Sequence, residues 1–168
     1  MVEVKEINVE EISRRYAVEI KLIDRATIRV EDWVRMKCQF GCGGYGARLT
    51  CPPYSPTPDQ TRRIIKDYKN ALLIHSRNSR KIKEAVPEIE RELFLKGFYK
   101  AWGMGAGPCR YCHECDIEAG CRFPRKARPA MEACGIDVFA TVRLNGFPIE
   151  VLTSRTQEQN HYGLILFE

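Results

Sequence analysis

The sequence lacks any long apolar segment. No run in its 168 residues approaches the roughly 20 apolar residues needed to cross a bilayer. The start, Met1 to Glu6, is charged and lacks the apolar block of a signal peptide. We therefore expect a cytoplasmic protein that does not associate with a membrane.

The sequence also lacks internal repeats, low-complexity segments and a recognisable linker, so we expect a single domain over residues 1–168. It shows no nucleophile motif. No acid–base pair is visible among the aspartates Asp59, Asp67, Asp116 and Asp137. The sequence therefore leaves open whether the protein is an enzyme.

Cysteine, in contrast, is abundant. The chain has eight, at positions 38, 42, 51, 109, 112, 115, 121 and 134. An even number suits a disulfide framework, but such frameworks belong mainly to small secreted chains. This chain is longer and shows no export signal. Because thiols in a reducing cytosol stay reduced and closely spaced ones usually bind metal, we interpret the cysteines as metal ligands.

The four-cysteine group comprises Cys109, Cys112, Cys115 and Cys121. Its C-x₂-C-x₂-C run is the one that bacterial ferredoxins use for a cluster, with a fourth cysteine just beyond and near a proline. Here five residues separate Cys115 from Cys121, where the ferredoxin run has three. The fourth ligand is therefore either Cys121 or a more distant cysteine. We predict a [4Fe-4S] cluster at this group, with Cys121 as the fourth ligand.

Zinc is the alternative metal for these thiols. It takes four tetrahedral thiolates, usually from two separated C-x₂-C pairs. A third cysteine at the same short gap fits that pattern less well, although Cys115 and Cys121 could supply the second pair. A further alternative leaves the thiols as structural side chains without metal.

The three-cysteine group, Cys38, Cys42 and Cys51, predicts a second metal site. The glycines between its members let the backbone turn sharply and approach a bound ion or cluster. Three local ligands leave one coordination position to be filled. Cys134 could fill it from the far end of the chain, or a non-protein ligand could, and the site would then do chemistry. A simpler alternative is that only two or three of these thiols bind anything.

The charge of the chain is consistent with anionic metal sites. Its formal net charge is +5 with thiols counted as neutral. A four-iron cluster with four thiolates, or a zinc ion with four thiolates, carries about −2, so two filled sites bring the total near zero. This balance argues against nucleic acid as a partner. Five basic residues crowd the four-cysteine group, either to stabilise the cluster or as an ordinary solvated loop: Arg110, Arg122, Arg125, Lys126 and Arg128.

Local patterns predict an α+β fold: a small mixed or antiparallel sheet, a few helices and irregular cysteine-rich metal-binding loops. A capping box of Thr57 and Gln60, with Pro58 in the first turn, starts one helix. A second follows the apolar spacing of residues 82–93, beginning or kinking at Pro87. A short helix is expected over residues 129–134. The predicted strands are 18–22, 28–30, 71–74, a hairpin of 138–144 and 147–152 around Asn145-Gly146, and 162–167. Cys38 to Pro58 is expected to be a loop.

Three segments resemble a known family: residues 48–58, 105–109 and 126–138. They are similar to the prokaryotic "predicted metal-binding protein" family, domain of unknown function 2284, and the likeness runs from about residue 37 to the end. The resemblance implies a metal-binding role for the cysteines and a setting in archaea or anaerobic bacteria. It implies no reaction.

Three functions are compatible with these observations. The first is an iron–sulfur protein that carries electrons to a redox protein partner. The second is an iron–sulfur enzyme in which the three-cysteine group leaves an iron open to a small molecule or a sulfur species. The third is a zinc-stabilised module that binds nucleic acid or protein.

Overall fold

The computed structural model describes residues 7–168 and confirms the α+β fold. The helices are α1 (Val9–Tyr16), α2 (Trp33–Gly41), α3 (Pro58–Ile65), α4 (Ser79–Leu95) and α5 (Val138–Leu144), with short 3₁₀ turns at Arg25–Thr27 and Glu132–Cys134. The strands are β1 (Glu19–Asp24), β2 (Asn70–Ser76), β3 (Trp102–Met104) and β4 (His161–Phe167). No helix of the described part of the chain is long and apolar enough to cross a membrane.

The four strands form one antiparallel sheet in the order β1-β2-β4-β3. Alternate residues of the two central strands point to opposite faces, and each face has its own apolar core. Leu72, Ile74 and Ile165 pack with α1 and α4 on one face. Leu73 and Leu164 pack on the other face with α5 and with the segment that holds Cys134. Because both faces of the sheet are covered, the sequences of β2 and β4 are continuous apolar runs.

Two predicted helices are confirmed, one of them with a different start. Thr57 and Gln60 form a complete capping box at the beginning of α3. Helix α4 runs from Ser79 through a buried Pro87 to Leu95, so the helix does not begin at the proline. Asn78 caps it by accepting a hydrogen bond from the Arg80 N–H.

The predicted hairpin around Asn145-Gly146 is wrong. Residues 138–144 form α5, and residues 147–152 form no strand, so Pro148 does not lie in an edge strand. The Asp137 carboxylate caps α5 by accepting from the Ala140 N–H at 2.9 Å. Val138, Thr141 and Val142 are buried at helical rather than strand spacing. Asn145-Gly146 therefore ends a helix instead of turning a hairpin.

Three further expectations need correction. Residues 28–30 form a single bridge, between Val30 and Ile136, and no strand. Cys38 lies in α2, so the expected loop begins only at Cys42. The predicted helix over residues 129–134 is confirmed only as the 3₁₀ turn Glu132–Cys134, which ends at Gly135 in the left-handed region.

Candidate metal centre

The three-cysteine group begins on a helix and continues into a glycine-rich loop. Cys38 lies in the last turn of α2, Cys42 directly follows the helix, and Cys51 is buried. The Gly44 N–H donates to Cys42 Sγ at 3.4 Å. A Cβ on Gly44 would lie 3.1 Å from Cys51 Sγ and 3.6 Å from Cys42 Sγ. The two sulfurs therefore face the same space above Gly44, and the missing side chain creates that space.

Helix α2 is held against the 3₁₀ turn of Cys134 by one arginine. Arg35 Nη1 donates to the carbonyl oxygens of Pro56 at 2.7 Å and Ala133 at 2.8 Å. Ser55 Oγ donates to the same Ala133 oxygen at 2.6 Å. These bonds place Cys38 beside the turn, with its Sγ 3.9 Å from the Glu132 carbonyl oxygen.

Cys134 lies behind this contact, fully buried within the core on that face of the sheet. Burial raises the pKa of its thiol to about 12; nearby Arg35 opposes the shift, and Glu132 and Cys38 add to it. Cys134 is therefore the neighbour of Cys38 and not of the four-cysteine group. Its role as a metal ligand stays a prediction.

The four-cysteine group surrounds one cavity of about 20 Å³. Arg48, Leu49 and Thr50, residues about 60 positions earlier in the sequence, line the same cavity. The rings of Tyr111 and Phe123, with centroids 5.9 Å apart, also line it. The full lining is Arg48, Leu49, Thr50, Cys109, Tyr111, Cys112, Cys115, Asp116, Gly120, Cys121, Arg122, Phe123 and Ala127.

Polar groups of this cavity point at sulfur. The Leu49 N–H donates to Cys115 Sγ at 3.5 Å. Burial raises the pKa of Cys109, and a hydrogen bond from the Tyr111 backbone N–H opposes that shift. Thr50 Oγ1 is buried and has no hydrogen-bond partner of ordinary geometry within residues 7–168. Such an unsatisfied hydroxyl is costly unless something accepts from it.

The two cysteine groups adjoin each other. A Cβ on Gly44 would lie 3.6 Å from Pro108 Cβ, the residue next to Cys109. Burial raises the pKa of Cys51; the Thr50 hydroxyl and the positive charge of Arg48 oppose the shift, whereas the charge of Cys109 adds to it. Arg48 also opposes the shift at Cys109. Residues 48–51 are thus a common wall between the two groups.

The loop that carries the four-cysteine group is anchored by an ion pair. Arg128 Nε and Nη2 donate to the two Glu90 oxygens at 2.7 and 2.6 Å. The Gly103 N–H donates to Glu90 Oε2 at 2.7 Å, and Arg128 Nη1 donates to the Ala127 carbonyl at 2.8 Å. Glu90 on α4 therefore ties the end of the loop to both the helix and strand β3.

The basic residues around the loop take different roles. Arg128 is committed to Glu90, so it does not face the cavity as a free cation. Arg122 lines the cavity, 3.9 Å from the Asp116 carboxylate. Three others are solvent-exposed and so are consistent with the solvated-loop alternative: Arg110, Arg125 and Lys126. His113, inside the motif, is exposed as well.

A single metal ion and a cluster place different demands on these thiols. In residues 7–168 no three His, Cys, Asp or Glu side chains are drawn together closely enough to hold a single metal ion. A zinc ion holds each thiolate at about 2.3 Å, so a zinc site requires these thiols to move closer together. Thiolates on a cubane cluster lie farther apart, because each binds a different iron. The cavity holds about one water, so a cluster requires the loop to widen; residues 106–131 contain no helix or strand to prevent this.

The thiol donor set, the N–H groups aimed at sulfur and the unsatisfied hydroxyl of Thr50 fit a metal–thiolate group. Two adjoining groups of thiols on an antiparallel α+β fold are an arrangement typical of metal-binding proteins. The chain belongs to the family described as Predicted metal-binding protein (DUF2284), whose family model matches residues 21–167. The predicted family is thereby confirmed, and the match begins earlier than the expected residue 37. No curated protein and no solved structure matches the chain.

The cysteine spacing alone does not indicate which other residues complete the site. Nothing local in the sequence links Glu90 to the cysteine loop, since its partner Arg128 lies 38 positions away. Thr50 and Leu49 precede Cys51 and suggest a role in the three-cysteine group; the Thr50 hydroxyl does act on Cys51, but both residues also line the four-cysteine cavity. The one sequence signal that could have pointed to Thr50 is a threonine, with its hydroxyl, directly before a cysteine.

Proposed function

We propose that the four-cysteine group binds a [4Fe-4S] cluster and that the protein transfers electrons to or from a redox protein partner. The observation that carries the proposal is that Cys109, Cys112, Cys115 and Cys121 all line one cavity. The C-x₂-C-x₂-C spacing supports iron–sulfur over zinc. Cys121 is the proposed fourth ligand.

A bound cluster supplies reversible one-electron transfer. The chain's own residues hold and shield it. Leu49 and Tyr111 direct N–H groups at the thiolates of Cys115 and Cys109, and such bonds stabilise negative sulfur. Tyr111 and Phe123 cover part of the cavity and exclude water there. Cys121 is exposed, which leaves an edge of the site open for electron exchange with a partner.

The three-cysteine group favours a second candidate function. Cys42 is exposed while Cys134 is buried behind Cys38, so the side of the site at Cys42 faces solvent. If Cys134 completes the ligand set, the group holds a second cluster and the electron-carrier function stands. If Cys134 does not, an open iron is accessible to a small molecule or a sulfur species, and the protein is an iron–sulfur enzyme.

Anaerobic purification with iron, sulfide and zinc analysis tests the main proposal. We expect a brown protein with roughly four irons per cluster and matching sulfide. Cys112→Ser should remove the four-cysteine cluster, whereas Cys134→Ser should leave it in place. A colourless preparation with stoichiometric zinc would overturn the iron–sulfur assignment and favour the zinc-stabilised module.

Cys134→Ser also separates the two candidates at the three-cysteine group. Loss of iron or a labile second cluster identifies Cys134 as a ligand and supports the electron carrier. Full metal content with an unchanged cluster spectrum leaves the position open and supports the enzyme.

A further inference from the structure

We propose that the Thr50 hydroxyl donates a hydrogen bond to a metal-bound sulfur in the four-cysteine cavity and thereby raises the reduction potential of that site. The inference rests on the proposed [4Fe-4S] cluster. It concerns a residue that is not a ligand and that lies, in sequence, among the cysteines of the other group.

The first step is the state of the Thr50 side chain. Its Oγ1 is buried and makes no hydrogen bond of ordinary geometry in the described residues, although it lies close enough to the Cys51 thiol to oppose the rise in the pKa of Cys51. Buried hydroxyls are hydrogen-bonded in most proteins. A buried hydroxyl without a protein partner therefore calls for an acceptor that is not part of the protein. Thr50 lines the four-cysteine cavity, so the acceptor expected there is sulfur on a bound metal group.

The second step is what surrounds that hydroxyl. The neighbouring Leu49 donates its N–H to Cys115 Sγ at 3.5 Å. The segment next to Thr50 therefore contacts a thiol of the four-cysteine group. Arg48, one residue earlier, lines the same cavity and brings a positive charge. Residues 48–50 thus line one site, to which Arg48 brings a charge and Leu49 an N–H, and Thr50 is the hydroxyl nearest to them in the chain.

The third step is the consequence for electron transfer. Reduction adds negative charge to the cluster and its sulfurs. A hydrogen-bond donor stabilises the more negative state more strongly, so it raises the potential. Removing the donor should therefore make the cluster harder to reduce. Thr50 also lies near Cys51, which is the competing acceptor.

The test compares two proteins by anaerobic redox titration followed by electron paramagnetic resonance: Cys42→Ser, and Cys42→Ser combined with Thr50→Val. The Cys42→Ser change removes a proposed ligand of the three-cysteine group, so that the signal belongs to the four-cysteine cluster. Valine keeps the shape and removes the donor. We expect unchanged iron and sulfide content and about a tenfold shift in the reduction equilibrium toward the oxidised form, which is 59 mV for one electron.

Thr50→Ser should restore the wild-type potential because it keeps the hydroxyl. Thr153→Val, at an exposed threonine, is the matched control and should change nothing. An intact cluster with an unchanged potential in Thr50→Val overturns the inference and indicates that the hydroxyl serves Cys51. If Thr50→Val loses the cluster, retention in Thr50→Ser supports the donor role and loss there as well overturns it. Absence of iron and sulfide from the parent protein refutes the proposed function instead.

Discussion

Replacing Glu90 with glutamine should loosen the loop that carries the four-cysteine group, because Glu90 anchors the end of that loop through Arg128. The Glu90 and Arg128 side chains are only 14% and 15% exposed, and they form two parallel hydrogen bonds. Removing one charge leaves the Arg128 guanidinium largely buried without its partner. Breaking a buried pair in this way costs about 3–5 kcal/mol, and the residual exposure favours the lower end.

Two measurements check this prediction on the anaerobically purified protein. In urea, the free energy of unfolding should fall by about 3 kcal/mol. If the same free energy is lost when the loop opens locally, iron release to a chelator should accelerate by up to about a hundredfold. Glu84→Gln is the matched control on the same helix. Its partner Arg80 is 2.8 Å away, but the side chains are 59% and 84% exposed, so it should cost at most about 0.5 kcal/mol. A Glu90→Gln protein as stable as the control would refute the anchoring role.

Three further predictions follow from close contacts and burial. Gly44→Ala should lower metal content at the three-cysteine group, because its Cβ would lie 3.1 Å from Cys51 Sγ; Gly43→Ala, with open space around it, should not. Gly135→Ala should destabilise by about 1–3 kcal/mol in thermal unfolding, since its φ is +80° and its Cβ would lie 2.7 Å from Pro58 Cγ; equal stability of Gly135→Ala and wild type would contradict this. Burial raises the pKa of Tyr162 to about 12, above its unfolded value near 10, so the neutral phenol's stabilisation is present below pH 10 and lost between pH 10 and 12. The unfolding free energy of wild type should therefore fall more steeply than that of Tyr162→Phe over this range, by at most about 3 kcal/mol, and parallel curves would show that the shift is absent.

The elements that sequence reasoning predicted correctly are those whose signals are local. The capping box of Thr57 and Gln60 is complete within four residues and needs no tertiary partner. The apolar run of β2 is fixed by burial on both faces of a sheet. In both cases the residues that decide the structure lie inside the element itself.

The elements predicted wrongly depend on distant contacts. Asn145-Gly146 is a strong hairpin signal, yet the Asn145 side chain bonds Thr27 Oγ1 at 2.9 Å, 118 residues away, and ends a helix. Helix α2 has no side-chain cap at its start. It is held by Arg35, through bonds to carbonyls 21 and 98 residues away, so no local pattern revealed that Cys38 is helical.

The same division applies to the candidate site. The spacing of Cys109, Cys112 and Cys115 predicts that their thiols converge, because short gaps leave the chain little freedom. The part of the lining that comes from Thr50 and its neighbours could not be predicted, since only the fold brings it to the cysteines. The ligands are thus local, and the groups that tune and anchor them are not.

Metal removal should affect the two halves of the three-cysteine group differently. Cys38 lies on α2, which is held by Val34 in the core and by the Arg35 bonds, none of which involves metal. Residues 42–50 form turns with few buried side chains, and so do residues 109–123. Because metal binding and local order are coupled where apolar packing is sparse, chelation should open these two loops and leave α2 protected.

Hydrogen exchange on metal-loaded and chelated protein measures this difference segment by segment. We expect faster exchange in residues 42–50 and 109–123 after chelation, with residues 33–41 and strand β2 unchanged. Arg35→Ala provides the internal control, because it should expose α2 even with metal bound by removing the bonds to Pro56 and Ala133. If α2 opens together with the loops on chelation alone, metal and not Arg35 holds Cys38 in place. In that case the helix forms with the site rather than before it.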